Sequence, residues 1–411
     1  MNRPIPSGKA LSFPASIPIQ LDGKPVEKIT AFLFDQGGND DPATLLANAN
    51  KSFVGSYVLG MGFTFDDSNP DATSIAEMHR LIEQDPRNQE RIFPYIGGEE
   101  VNTSPTHSHH RYVINFGDMK EDEARKYPDL MAIVEEKVKP ERLKVKDKGA
   151  KEKWWLFIRS RPELHKAIEQ CDRVLVIPRV SQTGAFTFLP SGMVYSEQLI
   201  VFALEEYSSF CVLQSRVHEI WARFLGSSMK DDLRYTPSDC FETFPFPSDW
   251  DNPTLEAAGK TYYEFRADLT VRHNQGLTAT YNRFHDPDEA NPDILKLREL
   301  HAECDRAVLD AYGWQDIPTD CEFLLDYEDE PDSTSKRKKP WRYRWSETIH
   351  DRVLARLLEL NRDRAATEIQ GKTKRRKEPA KTATASSIDT VPHAPKQLDL
   401  IPPDTQQLDL L

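Results

Sequence analysis

The chain has 411 residues, enough for two or three domains with cores of their own, and its net charge of −13 excludes a generally basic nucleic-acid coat while leaving room for a local basic face. Its five cysteines are odd in number and form no CxxC pair, which argues against a disulfide framework or a zinc site and for a reducing cytoplasm. No apolar run is long enough to span a bilayer, and no charged-then-apolar leader opens the sequence, so a soluble cytoplasmic protein with no membrane partner is expected.

Taken in order, residues 12–34 read as an extended piece, a turn at Leu21-Asp22-Gly23-Lys24 and a second extended piece. Residues 53–65 mix β-branched and aromatic side chains with Gly55, Gly60 and Gly62, as two strands about a tight turn would. Residues 91–101 repeat that pattern with Gly97-Gly98 as the turn, and 111–116 is a further strand. Apolar spacing predicts a helix over 121–137, and a short one over 161–170 with Pro162 in its first turn. Strands are expected at 173–179, 185–189 and 199–204.

The next stretch, 213–247, organises the chain. Leu213, Val217, Ile220, Trp221, Phe224 and Leu225 share one helical face, and Gly226 is placed to end the helix in the left-handed conformation, with Ser227 and Ser228 in a loop. Phe244-Pro245-Phe246-Pro247 must run extended, because each proline lacks a donor and restricts the residue before it. Beyond it, helices are predicted over 255–276, 294–312 and 346–368, with Gly276 and Gly313 as caps. From Gly371 the segment is too poor in large apolar residues to offset the entropy of ordering, and a disordered tail is expected.

Ser227-Ser228-Met229, Leu233 to Cys240 and Phe241 to Pro247 resemble the end of the target-recognition domain of MmeI-like restriction-modification enzymes. Residues 277–287 and Ala311-Tyr312-Gly313-Trp314 are similar to that family's helical C-terminal region. The resemblance covers about residues 12–370. It implies an α+β chain: 1–35 the end of a methyltransferase domain, 36–247 a mixed α/β recognition domain, 248–370 a helical C-terminal domain and 371–411 the tail. It also implies sequence-specific binding of double-stranded DNA within a SAM-dependent adenine-N6 DNA methyltransferase. S-adenosylmethionine would then sit on a separately encoded or missing methyltransferase or nuclease subunit. The tail phrases Gln397 to Ile401 and Gln407 to Leu411 resemble the peptide by which bacterial proteins dock onto the sliding clamp.

No cofactor is expected in this chain itself. An adenine-N6 methyltransferase needs a glycine-rich cofactor loop and an Asn/Asp-Pro-Pro-aromatic corner, whereas the Asn-Pro pairs at Asn69, Asn252 and Asn291 read as turn starts. Pro128-Asp129 with Glu135-Glu136-Lys137 has the letters of a nuclease site but lies on one helix face. His107, His109 and His110 lack partners at ligand spacing, and Asp231-Asp232 reads as loop capping. Cations are better placed for phosphate: Lys139, Arg142, Lys144 and Lys146 belong to a lysine-rich stretch closed by Trp154-Trp155. Arg179, Ser181, Gln182, Gln214 and Arg216 are residue types that read base edges, while Arg234 and Tyr235 suit phosphate contact or structure. A non-functional fragment of such an enzyme, or an interaction module working through its tail, are the alternative readings.

Overall fold

The computed structural model describes residues 20–21, 24–27, 29, 41–229, 232–325 and 341–377. The tail expected to be disordered from Gly371 instead continues the helix Glu347–Lys377 over residues 371–377, and its remainder, with both clamp-like phrases, lies outside the described residues, as does most of the segment 1–35. The fold is α+β. The most apolar runs of the sequence form one antiparallel sheet in the order Ser52–Val54, Leu199–Phe202, Arg173–Pro178, Thr187–Pro190. Every residue from Val174 to Pro178 and from Leu199 to Phe202 is buried, as continuous apolar strands require when both faces are covered. A second sheet runs Val194–Tyr195, Ile92–Ile96, Arg111–Ile114, Thr64–Phe65, with only the first pair parallel.

Two hydrophobic cores follow from this division. The smaller one gathers Val58, Phe63, Met78, Val113, Leu130, Val134, Trp154 and Phe157 around the second sheet. The larger one joins the first sheet to the helices Tyr207–Gln214, Arg216–Leu225, Pro253–His273, Leu277–Phe284, Pro292–Ala311 and Glu347–Lys377. Residues on both sides of Pro247 therefore share one apolar interior: Phe244 and Phe246 pack in the same cluster as Leu255, Leu297 and Leu354.

Several expectations change in physical detail. Residues 53–65 are not a hairpin, because their two strands belong to different sheets; a Cβ on Gly55 would lie 2.1 Å from the Ser196 carbonyl oxygen, a close approach between backbones that spares no room for a side chain. Gly97 and Gly98 open the helix Gly98–Thr103 instead of turning a hairpin. Pro128 splits the 121–137 helix into Glu121–Ala124 and Pro128–Lys137. The central helix breaks at Ser215, whose hydroxyl accepts from the His218 N–H and caps Arg216–Leu225. Gly226 is extended, not left-handed, at φ −69°; its Cβ would lie 2.6 Å from the Ala222 carbonyl oxygen, so packing selects glycine there.

After it, Ser227–Met229 is a strand and not a loop. Gly276 begins the helix Leu277–Phe284, while Asn274 in the left-handed region ends the one before. Gly313, at φ +76°, is the expected terminator of Pro292–Ala311. Asn69, Asn252 and Asn291 each accept a backbone N–H two residues on, and the last two cap helices that start with proline.

Candidate nucleic-acid interface

The lysine-rich stretch folds into two short helices, Lys139–Lys144 and Lys148–Glu152, on the side of the smaller core. Its exposed cations are mostly held by their own neighbours: Lys139 Nζ lies 2.6 Å from Glu135 and over the Trp154 ring, Lys144 is 2.6 Å from Glu141, and Lys148 is 3.5 Å from Glu152. Lys146 is exposed. Arg142 is not available to DNA. It is 1% exposed and donates to the carbonyls of Leu59, Val58 and Leu156, so it pins the chain that surrounds it.

Four further sequence candidates are also interior and act as supports. Gln214 Oε1 accepts from the Phe186 N–H and from Arg266, itself buried among Tyr262, Tyr263 and Tyr281. Arg216 pairs with the fully buried Asp305 at 2.5 Å; burial opposes its charge, but the carboxylate outweighs that cost and keeps the guanidinium protonated. Tyr235 shares a hydrogen bond with His218 Nε2 at 2.9 Å, and Ser181 is buried. A polar group without water must be paired, which is why these residues face inward partners and not solvent.

The remaining candidates share one surface. Val180–Ser181, Asp232–Arg234 and Ser227–Met229 form a three-stranded antiparallel ribbon with Asp232–Arg234 in the middle. Ser181 pairs with Leu233 and Val180 with Arg234, and strand alternation then sorts the side chains. Ser181, Leu233 and Tyr235 point into the core. Val180, Gln182 and Arg234 lie on the solvent side, Val180 at 44% exposure and Gln182 exposed just past the strand end. Arg179 is half-buried beside them, and its carbonyl accepts the Tyr235 N–H at 2.9 Å.

The loop that carries Gln182 is fixed from three directions. Ser181 Oγ accepts from the Thr183 N–H at 3.1 Å, a short-range turn, and Gly184 continues it at φ +59°, where glycine costs least. The Gln182 carbonyl accepts from Arg223 at 3.0 Å and from Arg342 at 2.6 Å, residues 41 and 160 positions away. Arg223 and Arg342 were not singled out by sequence reasoning. Arg223 looks like an ordinary charge on the polar side of a helix, and Arg342 lies in the hairpin Glu322–Leu325/Trp341–Arg344, a strand pair that no turn signal within the acidic run 320–332 announces. The only legible hint was the aromatic-arginine alternation of Trp341-Arg342-Tyr343-Arg344-Trp345.

Between the helix Arg216–Leu225 and the strand Trp341–Arg344, a cavity of about 220 Å³ is lined by Arg216, Glu219, Arg223, His285, Arg342 and Trp345, among others. Burial opposes the Glu219 charge, yet Arg223, Arg342 and His285 hold its carboxyl well below the usual range. Glu219 thereby orients Arg223, whose Nε it accepts at 2.8 Å.

The other sequence candidates make no site. Asp129 contacts Asn88 and Glu135 is paired with Arg125 and Lys139, so the nuclease-like letters form a solvated helix face. His107 is half-buried with Nδ1 3.0 Å from the Val101 carbonyl, and desolvation pushes it down to about 4. Among the described residues only Glu347, His350 and Asp351 are close enough to share a metal ion, and Glu347 lies 2.7 Å from Arg344. Asp231 lies outside the described residues. No described helix is long and apolar enough to cross a membrane.

The major groove of DNA admits a β-ribbon, and this ribbon leaves Val180 exposed with Gln182 just beyond its end. Residues 40–248, just over half of the chain, match the family described as MmeI, target recognition domain, and the chain belongs to that family. It is similar to DNA methyltransferase A of Bacillus subtilis (strain 168), 28% identical over 159 residues that make up 36% of this chain and 16% of the relative. Its fold is similar to that of the type IIL restriction-modification enzyme MmeI solved in complex with DNA, at a TM-score of 0.57 and 19% identity, over 84% of this chain and 39% of that one. The chain thus spans well under half the length of either protein.

Proposed function

We infer that this chain reads a short DNA sequence for a SAM-dependent adenine-N6 DNA methyltransferase of a restriction-modification system. The observation that carries the reading is the solvent face of the ribbon, which lies inside the family-matched segment and holds Gln182 on a backbone fixed by Arg223 and Arg342. A reader held in one geometry before binding loses little entropy on binding. The similarity to DNA methyltransferase A supports the methylation context. S-adenosylmethionine and the transfer step belong, in this proposal, to a catalytic unit on a partner subunit, and the chain alone transfers no methyl group.

The test is selection of bound duplexes from a random pool by the 411-residue chain, at about 50 and 200 mM salt. The expected result is an enriched motif that survives the higher salt. Binding without a motif, lost by a factor on the order of a thousand between the two salts, would reduce the interaction to phosphate contact and refute the reading. Removal of residues 390–411 is expected to leave the motif unchanged; loss of binding would favour an interaction module working through the tail.

A further inference from the structure

We propose that the ribbon reads an A·T pair in the major groove, with Gln182 on the adenine edge and Val180 against the thymine methyl, and that Arg223 and Arg342 are positioning residues for this contact. The inference rests on the DNA-reading function above and adds which base chemistry is read and what holds the reader. The major groove admits a β-ribbon, and there glutamine can donate to adenine N7 and accept from N6 while an apolar side chain covers the thymine C5-methyl. Val180 stands in the edge strand and Gln182 one residue beyond its end, both exposed, with the buried Ser181 between them.

The exposed valine supports the assignment independently of the glutamine. Val180 sits in a strand whose inward neighbours are packed, directly paired with Arg234, and still leaves 44% of its surface in solvent. A single exposed apolar residue is unremarkable alone, but here it is flanked in sequence by Arg179 and Gln182 and paired across the ribbon with Arg234. Gln182 also differs from the buried Gln214, whose Oε1 is already used twice inside the protein. The two arginines bond the Gln182 carbonyl and not its side chain, so they fix the backbone and leave the amide group to the base.

Arg342 comes from beyond the family-matched segment, so the C-terminal hairpin completes the recognition site. A backbone displaced by even an ångström would misalign two simultaneous hydrogen bonds. Removing the arginine should therefore blunt discrimination without removing phosphate-driven binding.

The experiment uses the full chain and its selected duplex, altered one position at a time. Replacing one adenine by 7-deazaadenine, which lacks the N7 acceptor, should weaken wild-type binding about tenfold, and Gln182→Ala should be blind to that replacement. Replacing the associated thymine by deoxyuridine should cost about fourfold, the worth of one buried methyl, and Val180→Ala should be blind to it. Arg342→Ala should lose the adenine discrimination while keeping affinity for unrelated duplex, and Arg342→Lys, which can still donate to the carbonyl, should restore part of it.

A motif whose adenine and thymine edits are felt equally by wild type, Gln182→Ala and Val180→Ala would overturn the assignment alone, leaving the DNA-reading function in place. Unchanged discrimination in Arg342→Ala would overturn the positioning role. Selection that returns no motif from the wild-type chain would overturn the DNA-reading function and this inference together.

Discussion

The lysine-rich stretch and the ribbon both concentrate cations, but they do so in opposite ways. In the stretch, charge is dense along the sequence and loose in space: Lys139, Lys144 and Lys148 reach acidic neighbours three or four positions away, on short solvated helices. Around the ribbon, charge is sparse along the sequence and convergent in space, with Arg223 and Arg342 meeting at one carbonyl from widely separated segments. Exposed pairs between flexible side chains contribute little and hold no fixed geometry. Convergent, partly buried arginines can define a site. Local charge density in a sequence is therefore a poor guide to where specificity resides, although it can add affinity that salt removes.

The comparison can be broken most forcefully at the buried support of the ribbon side. Asp305→Ala would strand the Arg216 guanidinium in the interior, and a loss of about 3–5 kcal/mol in denaturant unfolding is expected. A change below about 1 kcal/mol would mean that the arginine finds water and that the region is looser than described. At the surface, Arg234→Ala and Arg179→Ala should each weaken binding of the selected duplex and lower the slope of log affinity against log salt by about one. Equal slopes in wild type and variants would remove these residues from the interface.

Acid should act through the same interior. Burial pushes His218 down to about 3 and His107 down to about 4, both below the unfolded value of about 6.5. The unfolded chain then binds more protons, so stability that is complete above about pH 6.5 is lost progressively as pH falls toward those folded values. His218→Gln should make the decline shallower between about pH 6.5 and 4 in a series of unfolding curves. An unchanged slope would show that His218 does not contribute to it. The smallest effect is expected on the other side of the comparison: Lys144→Ala with Lys146→Ala should change duplex affinity by no more than about twofold and leave the motif intact.

Much of this was legible in the sequence because the signals were local. The strands read at 173–179 and 199–204 and the terminator Gly313 each depend on a few adjacent residues, and the structure has strands at 173–178 and 199–202 and a left-handed Gly313, whereas Asn252 and Asn291, read as turn starts, cap helices. Gln182, Arg179 and Arg234 were reached from residue type and neighbouring strand pattern, and the structure leaves Gln182 exposed and Arg179 and Arg234 half-buried. Arg142, Gln214 and Arg216 stand inside for one shared reason, and Tyr235, read as a phosphate contact or a structural residue, takes the structural role. A polar side chain looks the same in sequence whether its partner is a base or a buried group, and the partners Asp305, Phe186, His218 and Leu156 lie from 14 to 89 positions away. Gly226 shows the converse: glycine was expected for its torsional freedom and is required by contact with the Ala222 carbonyl and Leu233.

Backbone hydrogen exchange of the 411-residue chain, with and without its selected duplex, tests the central claim most directly. The ribbon account predicts protection on binding at residues 179–184 and 232–235, with residues 139–153 exchanging as in the free chain. Protection confined to residues 139–153 would contradict it and return recognition to the lysine-rich stretch.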